Sequence, residues 1–135
     1  MDINNLLRQH NEIFDLVKQI RTYDSKEKVN ENAATIAKSL AKLSGIIKMH
    51  LLSEDQFLYP VLSKHENSKV RNTAMLFDTE MGKLAKVFEE YKMKYVIASK
   101  IIQNTAGFLL DTKAIFTALE KRIKKEDLEL YPLLK

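Results

Sequence analysis

The sequence predicts an all-α fold, an up-down-up-down antiparallel four-helix bundle, on three observations. Apolar residues return at three- and four-residue steps along four long stretches. Only three Gly and two Pro interrupt 135 residues, which favours long helices joined by short connections. One phrase also occurs twice, as two hairpins of similar layout would require. His50-Leu51-Leu52-Ser53-Glu54-Asp55-Gln56-Phe57-Leu58-Tyr59-Pro60-Val61-Leu62 is echoed by Arg122-Ile123-Lys124-Lys125-Glu126-Asp127-Leu128-Glu129-Leu130-Tyr131-Pro132-Leu133-Leu134.

Asp2 can cap the first helix, along which Ile3, Leu6, Leu7, His10, Ile13, Phe14, Val17 and Ile20 mark one face. Tyr23 to Lys26 is a short polar connection. The second helix runs from about Val29 toward Pro60, with Ile36, Leu40, Leu43, Ile46 or Ile47, His50, Glu54 and Phe57 or Leu58 along one face. Gly45 inside it suggests close packing, because glycine costs about 1 kcal/mol against alanine in a helix interior. Pro60 lacks an N–H and should end or kink the helix. After a polar loop at Ser63 to Ser68, a third helix from near Lys69 carries Ala74, Phe77, Met81, Leu84, Phe88, Tyr91 and Tyr95. The periodicity blurs between Val96 and Thr105, where the last connection belongs. The fourth helix carries Phe108, Ile115, Leu119, Arg122, Glu126 and Leu130 and closes at Pro132.

Composition narrows the classes of function. One domain over residues 1–135 suits the length. Without cysteine there is no disulfide, iron–sulfur cluster or thiolate metal site. No apolar run approaches the roughly 20 residues of a membrane span, and the amino terminus lacks the basic-then-apolar pattern of a secretory signal. A cytoplasmic protein without a membrane partner is the expectation. The net charge of +4 comes from lysines scattered at helical surface spacing, with no basic run interleaved with aromatics, so nucleic acid is not expected as a partner. Sparse glycine leaves no phosphate loop, and no serine-centred elbow is present, so hydrolytic catalysis lacks support.

Helical rise places His10, His50, Met81 and Arg122 in one layer. His50 and Arg122 stand at matching distances before their prolines, about 15 Å at 1.5 Å per residue, and His10 lies about 12 Å past Asp2 from the same end. His50 and Glu54, one turn apart, share a face. With His10 opposite they make two imidazoles and a carboxylate, a set suited to non-haem iron, and Glu126 can add a further oxygen. Taken singly, each has a structural reading: His10 a hydrogen-bonded core histidine, His50 and Glu54 a paired couple, Glu126 part of the charged surface, Met81 a core filler. Tyr59 and Tyr131 read as packing residues whose hydroxyls reach solvent, and His65 as an exposed loop residue.

His10-Asn-Glu-Ile, the phrase from His50 through Glu54-Asp55 to Leu-Tyr-Pro, and the closing Glu126-Asp127 with Leu-Tyr-Pro-Leu resemble the hemerythrin-like, or HHE cation-binding, domain over essentially the whole chain. The resemblance implies two irons between four helices, used to bind oxygen, to sense oxygen, nitric oxide or iron, or to repair iron centres. It places His10, His50, Glu54 and Glu126 at ligand positions. Met81 and Arg122 stand where relatives supply histidines, and Ala85 replaces a further one found in some members. Arginine has no lone pair to donate and a thioether is a soft ligand, so the second half of the site is degenerate.

A guanidinium fork can also satisfy carboxylates on two sides, which makes Arg122 a candidate counter-ion between Glu54 and Glu126. The leading expectation is therefore a binding or regulatory module rather than an enzyme, without a stable di-iron centre, its iron absent or reduced to one ion. Its partner would be another protein or a small gas ligand. The alternative is a mono- or di-iron sensor or carrier of oxygen or nitric oxide on His10, His50, Glu54 and Glu126. Histidine phosphotransfer would need His10 or His50 on an exposed face, whereas both lie on apolar stripes.

Overall fold

A computed structural model describes residues 3–134, so the cap expected at Asp2 lies outside the described residues. The first apolar stripe forms α1 (Asn4–Arg21), which buries Leu6, His10, Ile13, Val17 and Ile20. The second stretch is not one helix from its start. It opens as α2 (Lys26–Glu31), where Ser25 accepts the Lys28 N–H at 3.2 Å, and restarts as α3 (Ala33–Ser53). Asn32 makes the break: its side chain donates to the Lys28 carbonyl at 2.8 Å, and its backbone leaves helical geometry at φ −124°, ψ 19°.

Pro60 does not end the second rod; it sits in the first turn of a short α-helix that follows a π-turn. Glu54–Leu58 forms a π-turn in which the Tyr59 N–H bonds back to the Glu54 carbonyl, and α4 (Tyr59–Leu62) continues the rod. The wider turn inserts one residue just before the position where proline forfeits its N–H and would crowd the preceding turn. The third rod is α5 (Ser68–Tyr95), capped where Asn67 Oδ1 accepts the Lys69 N–H at 2.9 Å. The blurred stretch holds α6 (Ala98–Gln103), and Asn104 then caps α7 (Thr105–Lys125) by accepting the Gly107 N–H at 3.1 Å. The fourth rod repeats the device of the second: a π-turn at Glu126–Leu130 precedes a 3-10 turn at Tyr131–Leu134.

The long helices form a ring in which α1 packs on α3 and α7, and α5 packs on the same two. No strand occurs among the described residues, and none of their helices is long and apolar enough to cross a membrane. Two apolar clusters fill the interior. The larger includes Ile13, Leu40, Phe88, Phe108 and Phe116, and the smaller gathers Leu6, Leu58, Leu62, Phe77, Leu130 and Tyr131 around the two π-turns. Buried polar residues Gln9, His10, His50, Glu54, Arg122 and Glu126 accompany these clusters. A set of that composition requires partners, since an unpaired buried polar group costs on the order of 1–3 kcal/mol.

Gly45 does not mark close packing. It is exposed, and a Cβ built on it meets nothing within 4 Å. Gly45→Ala should therefore stabilise the protein by roughly 0.5–1 kcal/mol through helix propensity alone. Thermal unfolding should show a rise of a few degrees, and a fall would reveal a hidden neighbour.

Candidate metal centre

His10 projects from α1 and His50 from α3, with their Nε2 atoms 3.0 Å apart. Glu126, at the start of the second π-turn, places Oε1 3.1 Å from His10 Nε2 and 3.5 Å from His50 Nε2. These three residues form a compact potential metal-holding group, their ligand atoms all within 4.8 Å of one another. Glu54 stands beside the group, its Oε2 3.5 Å from His50 Nε2. All four side chains are at most 2% exposed.

The rings are held by partners that periodicity did not reveal. His10 Nδ1 donates to Asp127 Oδ1 at 2.8 Å. His50 Nδ1 donates to Gln9 Oε1 at 2.9 Å, while Gln9 Nε2 donates to Ser53 Oγ at 3.3 Å. Each neutral ring thus spends its single N–H outward and turns the Nε2 lone pair inward. Asp127→Ala should weaken metal binding about 10- to 100-fold, the usual effect of losing a partner that orients a ligating histidine. Calorimetric titration would detect it; an unchanged affinity would mean that Asp127 does not hold the ring.

Tyr131 also belongs to this centre, contrary to the expectation that its hydroxyl reaches solvent. The residue is 2% exposed. Its hydroxyl donates to Glu54 Oε2 at 3.0 Å and lies 3.1 Å from His10 Nε2 and 3.5 Å from His50 Nε2. The π-turn explains the placement. At 3.6 residues per turn, a residue five beyond Glu126 would lie about 140° around the helix, whereas an i→i+5 turn brings it back over the glutamate. Tyr59 follows Glu54 by the same interval. Its hydroxyl is buried without a hydrogen-bond partner, so it does not reach solvent either. His65 is half-buried rather than exposed; its Nδ1 accepts the Asn67 N–H at 3.0 Å within the loop, away from this group.

Arg122 does not bridge Glu54 and Glu126. Its guanidinium reaches α5, where Nη1 donates to Glu80 Oε2 and Nη2 to the Phe77 carbonyl, both at 2.6 Å, and it lies over the Phe77 ring 4.2 Å from the centroid. The long side chain finds a half-exposed carboxylate, a carbonyl and an aromatic face on the neighbouring helix, while Glu126 is already engaged by two imidazoles. Met81 is buried at 3% exposure, as a core residue should be.

The centre is rich in acceptors and short of hydrogen. Two inward lone pairs and two carboxylates face one hydroxyl hydrogen, and Glu54 Oε1 and Glu126 Oε2 are buried without a partner. A proton or a cation resolves this. Burial opposes a charge on His50, but hydrogen bonds to Glu126 and Glu54 outweigh it and push the imidazole up to about 9. Burial likewise opposes the Glu126 carboxylate, but His10 and His50 outweigh it and hold that carboxyl below its usual range. Glu54 is pushed up, chiefly by burial. The residues also fit a cation: donors bound at about 2.1 Å and at right angles stand about 3.0 Å apart, close to the spacings here.

The family model of the hemerythrin HHE cation-binding domain matches residues 1–134. The chain belongs to the hemerythrin HHE cation-binding family. No match to a curated protein or to a solved structure was found. Within this hemerythrin-family bundle, the half bearing histidines has gathered them against Glu126, and the other half presents Met81 and an Arg122 turned toward Glu80.

Proposed function

We propose that this protein is a one-cation hemerythrin-family bundle, a binding module that holds a single divalent metal at His10, His50 and Glu126, with Glu54 alongside, and lacks the paired centre. The observation that carries the reading is the approach of two imidazole Nε2 atoms to 3.0 Å with both Nδ1 atoms engaged outward. Iron, the family's metal, would supply redox chemistry and an open position for a small gas ligand such as oxygen or nitric oxide. The rings act as neutral donors, Glu126 contributes negative charge, and the flanking apolar clusters limit water. A second ion lacks donors, because Arg122 has no lone pair and Met81 offers only a soft thioether.

Anaerobic ferrous titration of chelator-stripped protein should saturate at one equivalent per chain. Two equivalents would overturn the one-cation reading. A second reading, a metal-free regulatory module, draws on His50, whose bonds to Glu54 and Glu126 let a proton take the cation's place. Complete absence of binding would favour it.

The two readings meet in a pH prediction. The His50 pKa in the folded, metal-free protein lies above its ordinary 6.5, so its stabilisation is full below about 6.5 and is lost as pH rises through about 9. His50 and Glu126 are two ends of one ion pair, counted once, and its loss is worth on the order of 3 kcal/mol. Thermal unfolding of stripped protein should therefore show a falling midpoint from pH 6.5 to 9. Metal affinity should rise over the same interval, because the entering cation must displace the His50 proton. A metal affinity independent of pH would contradict this assignment.

A further inference from the structure

Resting on the one-cation reading, we infer that Tyr131 is a metal ligand, its phenolate oxygen taking a place beside His10, His50 and Glu126, while Glu54 receives the phenol proton. The hydroxyl oxygen lies 3.1 Å from His10 Nε2 and 3.5 Å from His50 Nε2. These are the separations that Glu126 Oε1 keeps from the same two nitrogens, 3.1 and 3.5 Å. Toward the paired imidazoles, the phenol oxygen thus occupies a position equivalent to that of the carboxylate oxygen.

The hydrogen of Tyr131 points away from that position. It is donated to Glu54 Oε2 at 3.0 Å, which leaves the oxygen's lone pairs toward the imidazoles. Glu54 itself is outside the compact group of His10, His50 and Glu126, and its other oxygen, Oε1, has no partner. Tyr131 thus touches both Glu54 Oε2 and His10 Nε2, while Glu54 Oε2 itself lies 3.5 Å from His50 Nε2. Its O–H bond breaks as an O–H bond forms on Glu54 Oε2, so the carboxylate becomes a carboxylic acid, the phenol becomes a phenolate, and the pair's total charge is unchanged. The resulting acid keeps a hydrogen bond to the phenolate and holds the ring in place. The Tyr131 ring also stacks on the His10 ring, centroids 5.2 Å apart and planes 11° from parallel, which fixes the approach of the oxygen. Tyr59, the corresponding residue of the other repeat, has an unpartnered hydroxyl and serves as the control.

The test loads stripped protein with ferric iron and reads metal content, visible absorption and resonance Raman scattering together. Wild type and Tyr59→Phe should show phenolate-to-iron charge transfer and its enhanced ring modes, and Tyr131→Phe should lose both while retaining one iron. Iron bound without that band in wild type overturns the inference and leaves the one-cation reading standing. A band that survives in Tyr131→Phe also overturns it. Failure of wild type to bind iron removes the reading beneath it. Should Tyr131→Phe fail to fold, wild type carrying ring-deuterated tyrosine decides: Raman modes that shift support ligation, and absence of tyrosine modes refutes it.

Discussion

Met81→His combined with Arg122→His is expected to raise the metal content from one ion per chain to two. Met81 is buried, and the Arg122 side chain is 7% exposed. Two histidines there would give the second half of the bundle imidazole donors, and Glu126 Oε2 and Glu54 Oε1, both buried without a partner, are available to share. The substitution also removes a fixed positive charge. It has a cost without metal: the Phe77 carbonyl loses its guanidinium donor, which should destabilise the stripped protein by about 1–3 kcal/mol. Metal should recover that loss, since a ligand bound only by the folded state raises its stability. Elemental analysis with thermal unfolding, stripped and loaded, checks both halves. A folded double variant that still holds one ion would show that ligand loss is not what limits the site.

His50→Ala should reduce metal affinity by roughly a thousandfold or more, well beyond the 10- to 100-fold expected on losing an orienting partner. His50 Nε2 lies within 3.5 Å of His10 Nε2, Glu126 Oε1, Glu54 Oε2 and the Tyr131 hydroxyl, so its removal opens the middle of the donor set. It also deprives two buried carboxylates of their shared partner. One should then take up a proton, and the fall in stripped-protein stability between pH 6.5 and 9 should disappear. His65→Ala, in the loop, should leave both properties unchanged. Titration calorimetry and pH-dependent unfolding report the two effects separately. Metal affinity within tenfold of wild type in His50→Ala would remove His50 from the ligand set.

Much of the architecture was legible in the chain. Recurrence of Leu6, His10, Ile13, Val17 and Ile20 gave α1 and the side from which His10 enters, all of them buried. Counting helical rise brought His10 and His50 to one level, and their Nε2 atoms meet at 3.0 Å. Gln9 and Asp127 escaped notice because an orienting partner leaves no periodic mark. Gln9 is adjacent to His10 yet serves His50, and Asp127 lies beyond a turn that is not α-helical. The adjacency of Asp127 to Glu126 in the repeated phrase was the available signal.

Tyr131 was missed for a more definite reason. It was read as a packing residue whose hydroxyl reaches solvent, and nothing in the apolar pattern announces the π-turn, which changes α-helical rotation by most of a residue. Arg122 was assigned to the right helix face and the wrong partner. Charge complementarity favoured Glu54 and Glu126, but the extended side chain reaches Glu80 and the Phe77 carbonyl on α5.

The order of apolar and polar residues by itself determined the four long helical stretches and the level at which polar groups enter the core, because those follow from spacing along a single rod, and the motifs around His10, His50 and Glu126 carried the resemblance to the family. Which groups touch was decided only by the tertiary structure: the π-turns that return Tyr131 to the centre, the outward bonds that aim two lone pairs inward, and the turning of Arg122 toward Glu80. Contact between rods depends on local twist and on side-chain direction, and competition among partners several ångströms apart has no counterpart in the linear order of residues.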